Sequence, residues 1–310
     1  MGKVVFSLEF EDVLNEYLYH CEAKGFTPKT MKNKRQEYKQ LKQYLNEKRG
    51  IDQLENITVF DLKSYVRLKQ KDGLKPQSIV SMFKMVSAFF SWCEKEGYIK
   101  ENIAKKVDTP KVPKKLIQGF SVAEVQAMID AYSYKNYLET RNKAIVAMLA
   151  DCGLRSIEIR GLLSKNVNGI TILVNGKGNK ERNVFISPAL KRILIKYERF
   201  KREYFQDKLS SDHYFLSYTG TSLSHVALDN IIKEAGRRAK IKNESVRVSP
   251  HTLRHFFAVQ TLTKGNLDLH SLSLLLGHSE VSTTQRYLAS MSHEQLQIKA
   301  ISSSPLMNMR

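Results

Sequence analysis

The chain has 310 residues, 42% hydrophobic and 26% charged, the proportions of an ordinary globular protein with room for about two domains. Lys and Arg number 50 against 31 Asp and Glu, a formal charge of +19. No apolar run approaches the ~20 residues of a membrane span, the opening stretch lacks a secretory core, and Cys21, Cys93 and Cys152 have neither CxxC nor metal-ligand spacing. These features exclude a disulfide scaffold and a helical membrane protein. They place free thiols in a reducing cytosol and point to a polyanionic partner. Basic residues outnumber acidic ones on both sides of position 118, so the charge does not sit in a tail.

The first hundred residues read as four helices. FEDVLNEYLYHCEAKG has apolar residues at helical spacing and stops at Gly25. The next helix opens with Thr27 as cap and Pro28 in the first turn, and stops at Gly50. The third opens with Thr58, with Asp61 three residues on as a capping-box partner. The fourth runs from Lys75 towards Ile99 and has a broad apolar face of Phe83, Val86, Phe89, Phe90 and Trp92. Residues 105–118 follow, rich in lysine and proline and without helical period, and read as an extended linker able to lie along phosphates.

Beyond Phe120 the character changes. Ser121 and Glu124 form a second capping box, and YLETRNKAIVAMLADCG reads as a mostly buried helix. A strand pair is predicted around a Gly-Lys-Gly-Asn turn, with Ile170, Ile172 and Val174 alternating on one side and Val184 and Ile186 on the other. The remainder is helical. Ser249 caps a helix with Pro250 in its first turn, Gly277 stops another, and a further helix starts near Ser282. A last amphipathic helix is predicted after Tyr287, with Leu288, Met291, Leu296 and Ile298 apolar.

Six residues gather chemical interest. Arg155 follows a helix stop, Lys177 sits at the hairpin tip, and His251 and Arg254 share the first turn of their helix. His278 follows Gly277, and Tyr287 lies nine residues later. Singly, each has an ordinary structural explanation. Together they form a set of cationic and imidazole donors suited to a phosphoryl centre, whose nonbridging oxygens gather negative charge in the transition state. Arginine forks match such oxygens bidentately. A tyrosine in that field is a candidate covalent nucleophile.

The order GLRSIEIRGL, GKGNKER, HTLRH and LLGHSEVSTTQRY closely resembles the tyrosine recombinases of the phage-integrase and Xer type. The resemblance covers residues 119–290 well and the helical N-terminal half more weakly. It implies a mainly α fold with a small β-sheet: an N-terminal four-helix core-binding (SAM-like) domain at 1–104, the linker at 105–118, and a C-terminal α+β catalytic domain at 119–310. It implies that Arg155 and Arg254 grip the scissile phosphate, with His251 helping to hold it and to move a proton. It makes Lys177 the general acid for the departing 5′ oxygen, His278 a phosphate hydrogen-bond partner, and Tyr287 the nucleophile. Lys177 is preferred to Lys180 because it follows the strand directly. Glu158, one turn after Arg155, matches a supporting position, and His255 is expected to point away from the site. No cofactor and no metal ion is expected.

The implied partners are double-stranded DNA and, on DNA, three further copies forming a homo-tetramer, in the cytoplasm. In the implied tetramer the last helix docks on a neighbouring copy, with packing against its own copy as the alternative that periodicity does not separate from it. Candidate DNA contacts are Lys75, Gln77 and Lys84 on the fourth helix, the polar run 29–34, and Lys111 and Lys114 in the linker. Two alternatives stay open: a DNA-binding relative without catalysis, and a type IB topoisomerase.

Overall fold

The computed structural model describes residues 8–113, 119–176, 181–242, 246–264, 267–278 and 280–288, with positions 297 and 301 beyond them. Two compact units divide the chain, Met1–Lys114 and Lys115–Arg310. Among the described residues no helix is long and apolar enough to cross a membrane.

The first unit contains α1 (Phe10–Ala23), α2 (Pro28–Arg49), α3 (Val59–Lys71) and α4 (Pro76–Glu96). Its helix starts follow the local chemistry of the sequence. Thr27 Oγ1 accepts from the Thr30 amide at 3.3 Å with Pro28 beside it. Thr58 and Asp61 close a reciprocal box, the Thr58 amide donating to the Asp61 carboxylate at 2.9 Å. Phe83, Val86, Phe89, Phe90 and Trp92 are all buried along α4. Phe89 is the hub, with the rings of Phe10 and Tyr17 edge-on to it at 5.5 and 5.4 Å.

Two sequence expectations change here. Lys34 belongs to the run read as DNA-facing, yet it is buried. Its Nζ donates to the Tyr17 hydroxyl at 2.8 Å and lies 4.8 Å from the Tyr17 ring centroid, and burial lowers its pKa. Aromatic faces and a phenol oxygen hold this cation, so it cannot serve DNA. The run at 105–118 is also not wholly an extended strap. A short 3-10 turn, Ile103–Lys106, capped by Asn102, packs on α3 and α4 and puts Ala104 and Val107 into the first core. Apolar side chains at helix-turn spacing outweighed the basic composition of that stretch.

The second unit contains α5 (Val122–Asp130), α6 (Tyr137–Cys152), α7 (Ser156–Arg160), β1 (Val167–Asn168), β2 (Thr171–Asn175), β3 (Glu181–Phe185), α8 (Pro188–Phe205), α9 (His225–Arg238), α10 (Pro250–Lys264), α11 (Leu269–Leu276) and α12 (Val281–Leu288). The Ser121–Glu124 box forms at the start of α5. Helix α6 runs through the centre, buried on nearly every side. The sheet is antiparallel in the order β1-β2-β3 and pairs Ile172 with Val184 and Val174 with Arg182. Ile172, Val174, Val184 and Ile186 point into the core, whereas Ile170 lies in the tight turn before β2 and is exposed. The two-residue strand β1 was not legible, because a pair of residues carries no alternation to read. The predicted last helix falls almost entirely outside the described residues.

Candidate active site

Helix α6 ends at Gly153, whose φ of +59° is left-handed; a Cβ there would meet the Phe257 ring at 2.3 Å. The chain turns sharply and delivers Arg155 as the cap of α7. We expect Gly153→Ala to lower stability by about 2–4 kcal/mol, combining left-handed strain and overpacking. A urea titration measures this, and an unchanged midpoint would contradict it.

Arg155 is held on two sides. Its amide donates to Glu158 Oε2 at 2.7 Å and its Nη1 to Oε1 at 2.8 Å, while Nη2 donates to the Gly277 carbonyl at 2.7 Å. Arg254 comes from the first turn of α10, where Ser249 Oγ accepts from the Thr252 amide at 3.3 Å. Its guanidinium is buried and donates to the carbonyls of Gly153 and Leu276, each at 2.7 Å, and to His278 Nε2 at 3.0 Å. It also shares a side-chain hydrogen bond with Tyr287. Burial and then the Arg155 charge lower its pKa to about 10, so it stays a cation at neutral pH.

His278 is placed by Gly277, which ends α11 in the left-handed region at φ +64°. Arg254 can only donate, so Nε2 accepts, and the imidazole is neutral with its proton on Nδ1. That Nδ1–H donates to Thr284 Oγ1 at 2.8 Å, and Thr284 is fully buried on α12. Desolvation, then the Arg254 and Arg155 charges, depress the His278 pKa to about 4.

Tyr287 projects from α12, which begins at Val281, one residue before the predicted start. Its ring is buried among Ala258, Val259, Leu262, Leu272 and Leu276. It lies nearly parallel to His278 at 6.1 Å and edge-on to His255 at 5.4 Å. Three helices, α7, α10 and α12, and the turn between α11 and α12 therefore bring Arg155, Arg254, His278 and Tyr287 together. His251 is one turn from Arg254 but exposed; partial desolvation and the Arg254 and Arg247 charges lower its pKa. Lys177 and the competing Lys180 lie outside the described residues.

Two neighbours of the site are not among the six candidates: His255, which the sequence reading sets aside, and Arg182, which it does not consider. His255 does not point away: it is buried against Tyr287, and burial with the His251 charge lowers its pKa to about 4. Arg182, on β3, donates from Nη1 and Nη2 to the two oxygens of Glu158 at 2.8 and 2.9 Å. Strand alternation carried the signal for Arg182, because it shares a face with the core residues Val184 and Ile186. Desolvation works against the Glu158 carboxylate, yet bonds from Arg182 and the Arg155 amide prevail and its pKa falls to about 2.

These shifts set an acid limit on stability. The unfolded chain takes up protons on His255 and His278 below about pH 6.5, whereas the folded chain resists until about 4. Stability contributed above pH 6.5 is therefore lost between pH 6.5 and 4. Glu158 extends the loss from about 4.5 towards 2. Melting temperatures across pH 7.5–4 should fall continuously, and a flat profile down to pH 4.5 would contradict the two neutral imidazoles.

Of the candidate DNA contacts, Lys75, Gln77, Lys84 and Lys111 are exposed, the first three along the start and outer side of α4. Lys114 lies outside the described residues.

Comparison with known proteins identifies the family. Residues 119–294 match the phage integrase family, and residues 9–109 match the phage integrase SAM-like domain. The chain is 33% identical over 270 residues to tyrosine recombinase XerD of Pseudomonas aeruginosa, covering 85% of this chain and 87% of that protein. It is 30% identical over 280 residues to XerD of Staphylococcus aureus strain Mu50, covering 89% and 93%. Among solved structures it shares its fold with a lambda integrase tetramer bound to a Holliday junction, at TM-score 0.72, 16% identity and coverage of 91% and 78%. The XerA recombinase matches at TM-score 0.54 and 24% identity, over 96% and 99%. Two family matches over both units and relatives spanning most of its length make this chain a member of the phage integrase family, a tyrosine recombinase.

Proposed function

We propose that this site-specific recombinase cuts and rejoins double-stranded DNA through a 3′-phosphotyrosyl intermediate on Tyr287. The observation that best supports this reading is the convergence of a buried phenol with Arg254, His278 and Arg155 in one small site. Arg155 and Arg254 bind the nonbridging oxygens of the scissile phosphate and stabilise the charge that grows there. His278 adds a hydrogen bond. The Thr284 hydroxyl can donate as well as accept, so the His278 tautomer can switch and present Nε2–H to the phosphate.

The Tyr287 oxygen attacks phosphorus and its proton passes to His251. The bond from phosphorus to the 5′ oxygen breaks, and Lys177 protonates the leaving oxygen. One phosphodiester is exchanged for another, so the bond energy is retained and no nucleotide is consumed. Attack by the 5′ hydroxyl of a second strand then reverses the chemistry in a new pairing.

Lys75, Gln77, Lys84, Lys111 and Lys114 contact the duplex, and the high positive charge makes affinity fall steeply with salt. The working assembly is four copies on two duplexes in the cytoplasm, a reading supported by the lambda integrase tetramer that shares the fold. The test is a duplex nicked near the cut site, so that the released fragment diffuses away and the covalent adduct accumulates. A protein–DNA band on a denaturing gel, retained in EDTA, is expected. Absence of the adduct would favour a silent DNA-binding relative, and an adduct that relaxes plasmids without joining two sites would favour a topoisomerase.

A further inference from the structure

Three consecutive carbonyls end α11, and each accepts from a different arginine. Arg182 Nε donates to Leu275, Arg254 to Leu276 and Arg155 to Gly277, every bond at 2.7 Å. The same three arginines surround one carboxylate. Glu158 accepts from Arg182 at 2.8 and 2.9 Å and from Arg155 at 2.8 Å, and Arg254 approaches it to 3.9 Å. The Glu158 side chain is 1% exposed and that of Arg182 11%. Gly277 permits this closeness, since a Cβ there would meet Arg182 Nη1 at 2.9 Å.

We propose that Arg182 is a positioning residue for the cleavage reaction: it neutralises Glu158 and braces the end of α11, so that the positive charges of Arg155 and Arg254 stay uncompensated for the phosphate. A buried carboxylate draws whichever cations are near. With Arg182 in place, one fixed arginine satisfies both Glu158 oxygens, and the pair is neutral. Two positive charges then remain for the phosphoryl group. Without Arg182, Glu158 competes with the phosphate for Arg155 and Arg254, and the Leu275 carbonyl loses its donor just ahead of His278. The role rests on the phosphate-binding parts proposed for Arg155, Arg254 and His278.

The experiment uses the full chain and a nicked duplex carrying a site selected by binding from a random-sequence DNA pool. Single-turnover formation of the covalent adduct and equilibrium affinity are measured separately. Arg182→Ala should bind DNA within about threefold of wild type, because affinity is spread over many phosphates. Its cleavage should fall about 100-fold, the scale of an ångström-sized misplacement. It should also lose activity more steeply than wild type at acid pH. The groups facing Glu158 are Arg155, Arg182, Arg254 and His278, and removing the strongest partner raises the carboxyl pKa towards its ordinary range.

If Arg182→Ala fails to fold, Arg182→Lys carries the test. Lysine keeps the charge but loses the fork, and cleavage should fall about tenfold, with binding and melting temperature near wild type. Cleavage by Arg182→Lys, or by folded Arg182→Ala, within twofold of wild type and with an unchanged pH profile would overturn the proposal. A wild-type protein that binds the selected site but forms no adduct would sink the catalytic reading itself, and this inference with it.

Discussion

Tyr287→Phe should abolish the covalent adduct while leaving DNA binding intact. The substitution removes one oxygen, and the ring keeps its contacts with Leu272, Leu276 and Val259 and its packing between His255 and His278. The side chain is almost fully buried, so a phenylalanine sits in the same pocket. The folded state loses one hydrogen bond with Arg254, a cost of about 1 kcal/mol that should leave the protein folded. Chemistry has no such reserve, because the phenol oxygen is itself the atom that bonds to phosphorus. Removal of a nucleophile costs on the order of 10⁴-fold or more in rate. The measurement is adduct yield from a nicked duplex, read beside a binding isotherm for the same DNA. Appreciable adduct from the phenylalanine variant would move the nucleophile elsewhere.

Arg254→Lys should lower cleavage about 10³-fold, the upper range for loss of a preorganised donor at a developing oxyanion. Charge is conserved, so the effect isolates geometry. The guanidinium spans the carbonyls of Gly153 and Leu276, His278 Nε2 and Tyr287 at once. An ammonium on a flexible stem has three donors and no fixed fork, so it cannot bridge them and also aim a donor at a phosphate. Two buried carbonyls are left short of donors, at about 1–3 kcal/mol each, so the melting temperature should fall as well. The two effects separate in a single-turnover assay at saturating protein, well below the melting transition. A rate within tenfold of wild type would show that charge alone suffices there.

Much of the fold was legible because its signals are local. Capping pairs at Thr58–Asp61 and Ser121–Glu124, proline in the first turn of α2 and α10, and the apolar face of α4 each lie within a few helical turns. The motif order reached further, to the set Arg155, Arg254, His278 and Tyr287. What failed depended on distant neighbours. Lys34 reads as a surface lysine until Tyr17 and Phe26 close over it. His255 reads as pointing away until α12 lays Tyr287 against it.

The sequence by itself determined most helix boundaries, the basic character of both units, and the set of residues proposed to bind and attack a phosphodiester. Only the tertiary structure decided which cations are free and which are already engaged. Glu158 and Arg182 are 24 positions apart, and the carbonyls of Leu275, Leu276 and Gly277 nearly a hundred further on. Periodicity describes a residue against its own element. The state of a buried charge depends on every element packed around it, and only the assembled fold supplies those distances.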